Sequence, residues 1–169
     1  MRRDATPTER FDAWFVRSIE KLKELPEGDG AFAAMMIALP LYERLIFARL
    51  KVAGRSTAQE DIARAIGDDL GLSQAERKVF WDMFRVGFMH RGMVKAGRTQ
   101  WLVSHKFGAE PEFRTYAGQR CVCVDPWKFA DRVLAAFSED TRLITASESF
   151  PLADVFALDA NALPPPAGQ

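Results

Sequence analysis

The sequence predicts a mainly α-helical protein, a bundle of about five helices with a small antiparallel β element inserted before the last long helix. Three observations predict it. Apolar residues recur at three- and four-residue steps from Phe11 onward. Helix-starting signals stand ahead of these runs. Between Gln100 and Val124 the pattern changes to that of strands. The chain has 169 residues, 48% apolar and 27% charged, enough for one sizeable core without disulfides or metal. The expected organisation is one domain over 1–140, with the β insertion near 99–124. An acidic, proline-rich tail, partly disordered, follows over 141–169.

Thr6 and Glu9 are spaced as a capping box, and Phe11, Trp14, Phe15, Ile19 and Leu22 form the stripe of the helix behind it. Pro26 to Gly30 is a turn. A long helix then runs from Ala31 to Val52, with a kink expected at Pro40 because proline removes a hydrogen bond. Thr57 with Glu60 reads as a second capping box, for a short helix ended by Gly71. Ser73 with Glu76 reads as a third, starting the helix that carries FRVGFMHRGM. Gln100 to Lys106 and Gln119 to Val124 read as strands, joined by Phe113 to Tyr116. Asp125-Pro126 opens the last long helix, whose stripe is Phe129, Val133, Leu134 and Phe137.

Formal net charge is zero, which excludes a uniformly basic nucleic-acid binder. The charge is unevenly spread. Arg85, Arg91, Lys95, Arg98, Lys106, Arg114 and Arg120 are offset only by Glu110 and Glu112, while the tail beyond Ser138 is acidic. Cys121 and Cys123 share one face of a strand, a poor geometry for pairing, so reduced thiols and a cytoplasmic location are expected. The start of the chain has no apolar core behind its arginines. The longest apolar run, Ala31 to Tyr42, is shorter than a bilayer requires and leads into Glu43-Arg44. No membrane partner is expected. His105, Cys121 and Cys123 lack the spacing of a zinc site, and no phosphate-binding glycine loop is present, so neither metal nor cofactor is expected.

The chemistry concentrates in Phe84 to Met93, where Arg85, His90 and Arg91 stand among Phe84, Val86, Phe88, Met89 and Met93. On an undistorted helix Arg85 and His90 are roughly 140° apart, so convergence requires a loosened helix or a second protomer. Arg85-Val-Gly-Phe-Met-His90, on a late helix after helical hairpins, resembles the Arg-x(4–6)-His hallmark of the HEPN superfamily. The upstream segment ALPLYERL is similar to the Pro-x-x-Glu helix segment of such chains. The resemblance spans Phe11 to Phe137 and implies an RNA-directed protein, a metal-independent endoribonuclease of defence or toxin type. It also implies a homodimer whose site forms where two protomers meet, and an antitoxin as a protein partner.

In that reading His90 is the general acid/base toward a ribose 2′-hydroxyl, and Arg85 holds the scissile phosphate with its planar fork. Glu43 orients Arg85 through a charge-assisted hydrogen bond, and Arg91, Lys95 and Arg98 contact the RNA backbone. Val86 departs from the family, where a polar residue often follows the arginine. It favours a non-catalytic HEPN-like dimeric interaction module as the alternative. A second alternative is a winged helix-turn-helix DNA-binding protein, with Thr57 to Gly67 as first helix, Ser73 onward as recognition helix, and the later strands as wing. The apolar residues Val79, Phe80, Trp81, Met83 and Phe84 oppose it, because a recognition helix exposes polar side chains.

Overall fold

A computed structural model describes residues 5–87 and 99–145. The protein is mainly α-helical with a small three-stranded sheet. The helical elements are α1 (Pro7–Phe11), α2 (Arg17–Lys23), α3 (Ala31–Val52), α4 (Gln59–Asp69), α5 (Gln74–Trp81), α6 (Pro126–Glu139) and α7 (Arg142–Thr145). The strands are β1 (Thr99–Val103), β2 (Glu112–Tyr116) and β3 (Gln119–Val124). Widened π-type turns at Asp12–Val16 and Asp82–Val86 continue α1 into α2 and extend α5.

The centre is α3. It buries Ala34, Met35, Ala38, Leu39, Leu41, Tyr42, Leu45, Ile46, Ala48 and Leu50 and lies against α6, α4, α2 and α7. It is helical through Pro40, where a kink was expected. Burial on several sides supplies the stabilisation that the missing hydrogen bond removes. By length and composition α3 is also apolar enough to cross a membrane; in this fold it is a core helix. Its facing helix α6 contributes Phe129, Ala130, Val133, Leu134 and Phe137. The core continues into α7 through Leu143 and Ile144, past the boundary expected at 140.

Two of the expected capping boxes close. Thr6 with Glu9, and Ser73 with Glu76, each satisfy the helix-start amides reciprocally. The third does not form. Ala58 is the N-cap of α4, and Ser56 Oγ accepts from its amide instead. Asp125 caps α6 as expected, accepting from the Trp127 and Lys128 amides. Gly71 closes α4 at φ +65°, where Leu72 N–H bonds Gly67 O at 2.8 Å, as in a Schellman motif.

The sheet has order β1-β3-β2 and is mixed rather than antiparallel. β2 and β3 form the expected antiparallel hairpin, but β1 pairs with β3 in parallel, Thr99 opposite Arg120 and Val103 opposite Val124. The reason is the path of the chain. It ends β1 at Val103 rather than Lys106, crosses to the far edge as β2, and returns between the two through a two-residue turn. Lys128 Nζ donates to the His105 and Phe107 carbonyls at 2.7 Å, tying this crossover to α6.

Candidate functional site

The side chains of α5 and its π-type turn divide by face. Phe80, Met83 and Phe84 point into the core, and the Phe84 ring meets Trp101 of β1 edge-on at 5.2 Å. Trp81 and Arg85 stand on another side. Inserting one residue into a helical turn re-aims the side chains after it, and such turns recur at functional sites. Here the turn spans Asp82–Val86 and carries Arg85.

Arg85 meets Glu43 of α3, with Nε to Oε2 at 3.5 Å, the outer limit of a hydrogen bond. Arg85 is 37% exposed and Glu43 30%, so the pair stands at the protein surface. Its worth to stability is about 0–1 kcal/mol. Its consequence is orientation. Glu43 engages the Nε edge, and the guanidinium carbon sits 5.9 Å from the Trp81 ring centroid. Among the described residues neither terminal nitrogen of Arg85 is hydrogen-bonded. The two-pronged edge that fits phosphate oxygens is therefore the one left uncommitted by these neighbours.

The site residues expected from the sequence thus fall into two groups. Arg85 and Glu43, 42 positions apart, come together. His90, Arg91, Lys95 and Arg98 lie outside the described residues. Arg49, more than one helical turn further along α3, reaches Asp69 at 3.2 Å. Among the described residues no group of three or more His, Cys, Asp or Glu side chains is placed to hold a metal. His105 is exposed, whereas Cys121 and Cys123 are buried free thiols on the central strand.

Sequence reasoning missed a polar hub at Asp69. Its Oδ2 accepts from Tyr42 Oη at 2.6 Å and from Arg132 Nη2 at 2.9 Å, and its Oδ1 accepts from Arg49. Glu110 adds an ion pair to Arg132 Nε at 3.4 Å. Burial first, and then the bond to Asp69, pushes the Tyr42 hydroxyl far above its usual range, so it stays a donor. The one available signal was Tyr42 within the apolar stripe of α3, since a buried tyrosine hydroxyl requires a partner.

No family model, curated protein or solved structure shows significant similarity to this chain.

Proposed function

We propose that this is an RNA-directed, HEPN-like protein that cleaves single-stranded RNA without a metal, working as a homodimer in the cytoplasm. The observation that carries the reading is the Arg85–Glu43 pair beside Trp81: a half-exposed arginine, oriented through Nε, five positions before His90. Arg85 would hold the scissile phosphate through its terminal nitrogens and stabilise the charge that develops there. His90 would take the 2′-hydroxyl proton or return one to the leaving oxygen, work suited to an imidazole that titrates near neutrality. Glu43 would set the angle of the guanidinium. The π-type turn supports the reading, because it loosens the helix in the segment that leads toward His90. Reduced thiols at Cys121 and Cys123 fit a reducing compartment.

The test is cleavage of single-stranded RNA by the full chain in excess chelator. Wild-type protein is expected to cut. His90→Ala should lose about 10²–10⁴-fold, the usual share of acid–base catalysis. Arg85→Ala should lose about 10²–10³-fold, as for other transition-state donors. Glu43→Gln keeps a hydrogen-bond acceptor and should lose about tenfold or less. RNA left intact by the wild-type dimer sinks the nuclease reading and leaves a non-catalytic dimeric module. Cleavage restored only by added divalent metal sinks the metal-independent mechanism.

A further inference from the structure

Beside Arg85 the surface opens into a groove between α4 and α5. Two cavities form it, 620 Å³ and 220 Å³, which share Ala63, Gln74 and Arg77 in their walls. The larger lies in the range of small-ligand sites. The α5 wall presents Gln74, Arg77, Lys78 and Trp81, spaced as one helix face that continues to Arg85. Among the described residues Arg77 and Lys78 have no ion-pair partner, whereas Arg64 on the α4 wall is paired with Asp61 at 3.5 Å. In the larger cavity Arg77 of α5 faces Glu60 and Asp68 on α4, and Lys78 lines the smaller one.

We propose that this groove holds single-stranded RNA next to the Arg85 site, with phosphate on Arg77 and Lys78 and a base against Trp81. The inference deepens the nuclease reading and rests on it. Arg77 and Lys78 lie about 10–12 Å along the helix axis from Arg85, a distance that a short stretch of single strand spans. An indole ring beside two cations is the combination that binds unpaired bases, because stacking on the ring face tolerates any base and the cations hold the backbone. Glu60 and Asp68 on α4 repel phosphate, and Asp82 lines the smaller cavity beside Trp81, so the backbone runs along Arg77 and Lys78 of α5. Concavity points the same way: the polar residues line a hollow rather than crown a ridge that enters a major groove.

The test is binding of a short labelled single-stranded RNA to His90→Ala protein, which keeps the RNA intact, at several salt concentrations. Adding Arg77→Gln and Lys78→Gln should weaken binding about tenfold and make the log–log salt slope shallower by about 1.4, the share of two phosphates on a single strand. Trp81→Leu, checked for retained folding by circular dichroism, should weaken binding about tenfold with the slope unchanged. Unchanged affinity and slope in the charge variants overturn the groove. In otherwise wild-type protein the charge variants should raise KM with kcat kept. Unaltered KM with active cleavage overturns the groove and leaves the nuclease standing. Groove-dependent binding by a wild type that never cleaves overturns the nuclease and leaves the groove. Tighter binding of duplex DNA than of single-stranded RNA overturns both.

Discussion

Asp69 ties three helices together, because three donors from α3 and α6 end on its carboxylate. Removing one donor leaves it partly satisfied; removing the carboxylate leaves the buried Tyr42 hydroxyl without its partner and takes one bond each from Arg132 and Arg49. Asp69→Ala is expected to cost about 2–3 kcal/mol and Tyr42→Phe about 1 kcal/mol, because an orphaned partly buried donor costs more than one lost bond. Urea unfolding of the two variants checks the order, and equal losses would contradict it. Ala117 is a second telling residue. It turns the β2–β3 hairpin at φ +49°, with Gly118 at +76°. Two residues at positive φ suit asparagine followed by glycine, and alanine is strained there. Ala117→Asn should therefore stabilise by about 0.5–1 kcal/mol, read as a raised Tm. Neither residue announces its role in the sequence. Asp69 reads as a solvated acid at a helix end, and Ala117 as an ordinary loop residue.

The capping boxes at Ser73 and Thr57 show how far a local pattern reaches at the scale of the element. Both have the spacing, yet the chain enters α4 one residue later than the pattern at Thr57 implies. Four letters state which bonds are available, but not which residue takes the extended backbone. Ser73→Ala should cost about 1 kcal/mol and Thr57→Ala less than 0.5 kcal/mol, measured by thermal unfolding. The Ser73 box also predicts a pH effect. Hydrogen bonds from Ser73 hold the Glu76 carboxyl below its ordinary 4.5. A depressed carboxylate stabilises the fold above its unfolded value and loses that contribution as pH falls through the folded one. Glu76 is only partly buried and solvent screens its charge, so the effect is a few tenths of a kcal/mol. The stability gap between wild type and Glu76→Ala should be present at pH 7 and shrink as pH falls below 4.5. A gap constant with pH would show that the charge plays no part.

At the scale of the whole molecule, β3 decides how the sheet behaves. It is paired on both sides, and Cys121 to Val124 are all buried. Burial pushes the Cys123 thiol up, so it is protonated and inert at neutral pH. Both thiols should resist a thiol-specific reagent in the native state and react at the rate of global unfolding, since the central strand opens last. Fast labelling without unfolding would show that the sheet opens by itself. The edge strand β1 is held from the helical side. Trp101 packs against Phe84 and Phe32, at 5.2 and 6.4 Å between ring centroids.

The sequence by itself determined the long core helix at Ala31–Val52, the last strand, two capping boxes and the Asp125-Pro126 start of α6. Each rests on periodicity or on a few neighbouring residues, and those forces act locally. The resemblance offered Glu43 as a partner of Arg85, but only the tertiary structure brings the two side chains to 3.5 Å. Only the tertiary structure decided the Asp69 hub, the parallel edge of the sheet and the groove beside Trp81. Those depend on which helix faces meet, and contacts between residues tens of positions apart are set by how apolar faces pack into one core.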